Sequence, residues 1–136
     1  MEIYRTKVAK ISGSNYAEVY KNAFRAYSVI IKNPKRKPFV KSAYFKRQKV
    51  FLELFWRHLH EKSAKERFLR LKYFSMGIDL LYKSRYKPII TANTKHSSEL
   101  FYRFAGISKN KEKFFIQVKE NKKTSEKWLM SIFPAD

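Results

Sequence analysis

The chain has no cysteine. That excludes disulfides, thiolate catalysis and cysteine-based zinc sites, and it fits a cytoplasmic setting. Only three glycines occur, and neither a GxxxxGKS/T nor a GxGxxG motif is present, so no glycine-rich loop is expected to cradle a nucleotide. No segment approaches the ~18 consecutive apolar residues of a membrane span. The opening stretch, MEIYRTKVAK, lacks the apolar run of a signal peptide. Acids are scarce, 11 Asp and Glu in 136 residues, and they form no cluster able to hold Mg²⁺. A two-metal nuclease is therefore disfavoured, and neither metal nor cofactor is expected.

Basic residues are abundant: 31 Lys and Arg give a net charge of +20. They are spread over both halves of the chain rather than gathered in a tail. A field of that size attracts polyanions, with nucleic acid the leading class and an anionic membrane surface the second; the partner expected is nucleic acid, with no membrane partner. At 44% hydrophobic and 17% aromatic the chain is too apolar to be a disordered basic tail. Its length suits a single domain, residues 1–136, with one core. Residues 1–38 read as an N-terminal helix and a basic linker, and residues 39–136 as a helical layer plus a C-terminal antiparallel sheet.

Helical spacing of Tyr16, Val19, Tyr20, Ala23, Phe24, Tyr27 and Ile31 predicts a helix over 14–31, with Ser14 as its cap. Two prolines flank the basic run KNPKRKP, Lys32–Pro38, which reads as a solvated linker or a phosphate-tracking arm. A second helix is expected from about Ser42 to Glu61, carrying Phe45, Leu52, Phe55, Trp56 and Leu59. Ser63 and Glu66 match a capping box that starts a third, running to about Tyr82, in which close packing would account for Gly77. From Lys87 the period becomes two. A short strand at Pro88–Ala92 is followed by the loop NTKHSS and then by Glu99–Ile107, Lys113–Glu120 and Lys127–Phe133, joined by the turns SKNKE and NKKTS. The fold class is α+β, with helices packed on an antiparallel meander.

Alternation assigns the faces of that meander. Leu100, Tyr102, Phe104, Phe114, Ile116, Val118, Trp128, Met130 and Ile132 fall on one side and are expected in the core. The reverse side reads Phe101, Arg103, Ala105, Phe115, Gln117, Lys119, Leu129, Ser131 and Phe133. In register, Arg103, Gln117, Lys119 and Ser131 come together among aromatic rings. Cations beside π surfaces suit single-stranded nucleic acid, with Phe101 and Phe115 to stack bases. A solvated sheet face explains the same pattern. Glu120 points by alternation to the core side. His58 and His60 diverge by about 200° on a helix and cannot share a metal. Asp79 and Glu53 read as local salt-bridge partners.

The stretches SAYFKRQKVFLELFWRHL, RFLRLKYFSMGIDLLYKSRYKP, ELFYRFAGISKNKEKFFIQVKE and KWLMSIFP carry a resemblance over residues 34–134. They resemble a family of small basic bacterial proteins similar to the barnase–EndoU–colicin–RelE-like superfamily of nucleases. The resemblance implies a helix on an antiparallel sheet of the barnase/RelE-like kind, and metal-independent RNA cleavage through the ribose 2′-hydroxyl. Some members of that superfamily use Glu and His, whereas RelE-type members rely on Lys, Arg and Tyr, the kind this chain matches. The implied roles give Arg103 the scissile phosphate, Lys119 the transition-state charge or the base, and Ser131 and Gln117 hydrogen bonds to phosphate or ribose. His96, or Lys72, Arg85 and Tyr86, supply further acid–base candidates. Arg67, Arg70, Lys72, Arg85, Lys122, Lys123, Lys35, Arg36 and Lys37 are expected to bind RNA along the backbone. A tRNA, an mRNA or another structured RNA would be the substrate. An acidic inhibitor protein would be a partner if the enzyme is toxin-like. Two other readings stand beside this one: a non-catalytic RNA- or DNA-binding module, and a basic subunit of a nucleoprotein assembly.

Overall fold

The computed structural model describes residues 2–31 and 35–135. The calls on Lys32, Asn33 and Pro34 in the basic run lie outside these residues. The elements run β1 (Ile3–Arg5), α1 (Tyr16–Ile30), β2 (Phe39–Ser42), β3 (Gln48–Phe51), α2 (Glu53–His60), α3 (Ala64–Lys72), α4 (Phe74–Lys83), β4 (Ile89–Ala92), β5 (Glu99–Ile107), β6 (Lys113–Asn121) and β7 (Lys127–Pro134). The class is α+β, as expected. The antiparallel meander β5–β6–β7 is the middle of a mixed sheet, ordered β1-β5-β6-β7-β3-β2, with β4 sharing the outer edge of β5. Both β1 against β5 and β3 against β7 run parallel. The strand β1 was not expected.

In α1 the residues Val19, Ala23 and Tyr27 recur every fourth position and are buried in the common core. Its cap is Asn15 rather than Ser14: Asn15 Oδ1 accepts from the Glu18 amide at 3.0 Å, and Ser14 donates its own amide to Glu18 Oε2 at 3.0 Å. Ser63 caps α3 as its motif predicts, accepting from the Glu66 amide at 3.2 Å. The expected third helix is two, because Tyr73 leaves helical geometry (φ −94°, ψ 2°) and its ring lies against Phe114. Gly77 then brings α4 onto the sheet. A Cβ there would stand 2.6 Å from Ile132 Cδ1, so close packing is its reason.

The largest departure is at 39–51, where a β-hairpin replaces the first turns of the expected second helix. Val40, Ser42, Val50 and Leu52 are buried while Lys41 and Lys49 are exposed, an alternation set by the sheet. Lys46 and Arg47 adopt positive φ (55° and 67°), which bulky residues rarely accept without tertiary support. That support comes from the Arg47 amide donating to Ser42 O at 2.7 Å and its guanidinium to Tyr82 O at 2.9 Å. The loop drives Phe45 into the core, edge-on to Tyr102 with ring centroids 4.9 Å apart. Burying these rings offsets the cost of the turn.

A second departure changes which residues share a face. Gln117 pairs with Ser131 but Val118 pairs with Leu129, so Met130 is the extra residue of a β-bulge. Below the bulge the alternation of β7 is inverted. Leu129 is fully buried and Trp128 sits opposite Lys119, so Trp128 and Met130 are not core residues and Leu129 is not on the open face. Lys127, now on the core side, is 4% exposed.

Candidate functional site

Strand register builds the open face row by row. The broadest row runs across six strands: Thr91 on β4, Phe101 on β5, Lys119 on β6, Trp128 on β7, Phe51 on β3 and Phe39 on β2. Beside it lie Arg103, Gln117 and Ser131, and beyond them Ala105, Phe115 and Phe133. Lys41 and Lys49, two residues from Phe39 and Phe51, face the same way. Six aromatic rings and four cations thus share one side of the sheet.

The cations are held in place. Arg103 donates from Nη2 to Gln117 Oε1 at 3.1 Å, and its guanidinium carbon lies 5.8 Å and 5.4 Å from the ring centroids of Phe115 and Phe133. One donor of five is used there, which leaves a fork of N–H groups for an anion. Lys119 Nζ stands 3.3 Å from Glu99 and 5.5 Å from the centre of the Trp128 ring. Lys49 covers Phe39 at 4.6 Å. Burial alone would raise the Glu99 carboxyl, but the Asn93 amide, at 2.8 Å, and the Lys119 ammonium outweigh it and hold the group below the usual carboxylate range. The His96 charge adds to that effect.

A cleft of about 290 Å³ opens at the Lys119 end, lined by Lys37, Phe51, Glu53, Leu54, Arg57, Lys119 and Trp128. The turn after β6 closes on the loop before β5, the Lys122 amide donating to Ser98 O at 2.8 Å. Lys122, Lys123 and the exposed His96 therefore border the same end of the face. Arg70 reaches the other end, 5.5 Å from the Phe133 centroid, while holding Glu66 at 3.7 Å.

The expected centre of Arg103, Gln117, Lys119, Ser131, Phe101 and Phe115 is thus brought together, with Lys37, Arg70, His96, Lys122 and Lys123 at its rim. Others lie apart. Arg67 stacks over Tyr16 at 5.5 Å between α1 and α3, and Lys72 lies over Phe68 of its own helix at 4.2 Å. Arg85 is exposed on the connection from α4 to β4, and Lys35 and Arg36 are exposed before β2. Glu120 turns to the core, accepting from the Tyr102 hydroxyl at 2.5 Å and pairing with Lys127 at 3.0 Å. Burial and that hydrogen bond push the Tyr102 phenol far above its usual value. Asp79 pairs with Lys83 at 3.4 Å as expected, and it also accepts from Tyr4 (2.7 Å) and Thr6 (2.8 Å), tying β1 to α4.

Sequence reasoning missed Glu99, Trp128, Phe51, Phe39, Lys41, Lys49 and Arg57. Only Glu99 was open to it, since alternation from Phe101 and Arg103 puts it on their side. Among the described residues no group of three or more His, Asp or Glu is able to hold a metal ion, and no helix is long and apolar enough to cross a membrane. No protein-family model, curated protein or solved structure matches the chain.

Proposed function

We propose that the open face binds single-stranded RNA and cleaves it without metal, the ribose 2′-oxygen attacking phosphorus and the 5′-oxygen leaving. One observation carries the reading: Arg103 and Lys119 stand on adjacent strands within a field of aromatic rings, where a backbone phosphate can meet both while its bases stack. The Arg103 fork takes the non-bridging oxygens, and Lys119 offsets charge on the phosphorane. Gln117 and Ser131 hydrogen-bond phosphate or ribose. His96, at the rim, moves the proton of the attacking or leaving oxygen. The sequence resemblance to the nuclease superfamily points to the same chemistry. The likeness also supports a toxin-like enzyme of the cytoplasm, held in check by an acidic inhibitor.

A non-catalytic reading has its own support, because a phosphate that takes the place of Glu99 beside Lys119, 3.3 Å away, is bound without any proton transfer. Incubation of the pure protein with RNA in EDTA separates the two. Cleavage leaves 2′,3′-cyclic phosphate ends, and Arg103→Ala or Lys119→Ala each lowers the rate by ~10²-fold or more while the variants stay folded. Bound but intact RNA after long incubation supports the binding module instead. Unaltered cleavage by both variants removes the site assignment.

A further inference from the structure

The sheet has one edge that nothing among the described residues covers. Strand β4 pairs with β5 on one side, and no other strand joins it. All four of its residues are exposed, with Ile89 at 47% and Ile90 at 51%. Tyr86, just before it, is 48% exposed. The Asn93 amide donates to Glu99 O at 3.2 Å, which identifies 93/99, 91/101 and 89/103 as the hydrogen-bonded pairs of this ladder. The backbone groups of Ile90 and Ala92 therefore point away from β5, to the open side. Lys87 and Pro88 blunt only the start of this four-residue edge, and the stretch IITA itself carries neither a charge nor a bulge.

The surroundings indicate what would cover it. No acid occurs between Asp79 and Glu99, whereas Arg85, Lys87 and Lys95 flank the strand at both ends. A second copy fits poorly, since each carries +20 and the two edges would meet cation to cation. Nucleic acid satisfies the flanking cations but neither the backbone groups nor the isoleucines. We infer that β4 is a docking edge for an extended, acidic segment of another protein, which adds to the sheet as a further strand. Main-chain hydrogen bonds to Ile90 and Ala92 supply affinity, and acidic side chains meet the flanking cations. Ile89 and Thr91 lie opposite Arg103 and Phe101, so half of the incoming side chains join the open face beside Arg103. The docking does not depend on what that face binds. Only competition with RNA rests on the function proposed above.

The test titrates the isotope-labelled full chain, at low salt, with a short peptide alternating glutamate and valine. Its fully N-methylated counterpart keeps the charge but loses every backbone donor. The expected result is a shift and slowed exchange of the Ile90 and Ala92 amides, with affinity falling ~10-fold or more on N-methylation, the loss of one or two hydrogen bonds. Equal binding of the two peptides, shifts confined to the open face, or no binding overturns the inference. So does concentration-dependent broadening at β4 without peptide, which would make the occupant a second copy. Displacement of RNA by the peptide is scored separately, and its absence leaves docking intact while removing the competition.

Discussion

Two Lys–Glu pairs lie on opposite faces of the same strand, one residue apart in β6, and they do different work. Glu120 pairs with Lys127 at 3.0 Å in the core, side chains 14% and 4% exposed, and Lys127 Nζ donates further to Gln48 Oε1 at 2.7 Å and Ser125 O at 2.9 Å. Lys119 pairs with Glu99 at 3.3 Å on the open face, at 25% and 21%. Inside, each charge depends more on the other, because little solvent reaches the pair to replace it. Outside, water or a phosphate takes the place of Glu99 at little cost. The same two residue types give a structural clamp on one side and an available cation on the other, and solvent decides which.

Removing one member of each pair is the sharpest way to break this contrast. Lys127→Met leaves the partly buried Glu120 with the Tyr102 hydroxyl as its remaining partner, and it is expected to cost ~1–3 kcal/mol by chemical denaturation. Lys119→Met is expected to cost under ~1 kcal/mol. Equal losses would mean that the two faces are equally dry. An effect of similar size separates neighbours in β7. Trp128→Ala is expected to weaken single-stranded RNA binding by roughly 10–100-fold in a fluorescence titration, the loss of one base stack. Leu129→Ala costs ~2–5 kcal/mol of stability instead and leaves the affinity of the folded protein unchanged. The smallest effect belongs to Glu99. Its folded carboxyl titrates below its unfolded value, so it stabilises the fold above the unfolded value and loses that contribution as pH falls through the folded one. Glu99→Gln is expected to flatten this acidic limb in thermal melts and to raise RNA affinity a few-fold by freeing Lys119.

The sheet was legible where one physical rule acted alone. In β5 and β6 apolar and polar residues alternate, and the expected faces hold; β5 matches its expected bounds and β6 runs one residue further, to Asn121. Arg103, Gln117, Lys119 and Ser131 follow from that pattern. The rest was hidden by residues that satisfy two rules at once. Phe45, Leu52, Phe55, Trp56 and Leu59 fit a helical stripe, yet the first two belong to a hairpin loop and to the residue after β3. No glycine or asparagine marks that turn, because long-range contacts to Tyr82 and the core hold Lys46 and Arg47 where local preference would not. In β7 the run Trp128-Leu129-Met130 is apolar throughout, so nothing local tells which residue faces which way.

The bulge at Met130 also makes this strand sensitive to length in a way that substitutions would not reveal. Above it odd-numbered residues look outward, and below it even-numbered ones do. One inserted residue lets a single strand supply Ser131 and Phe133 to one stretch of the open face and Trp128 to the next, while Leu129 and Ile132 both fill the core. Taking out Met130 would change no other side chain, yet it would turn half the strand inside out, trading an indole for an ammonium on the surface and an ammonium for an indole within. The aromatic row across the sheet is thus kept continuous by phase, through a residue whose sulfur meets the Gln117 amide at 3.7 Å.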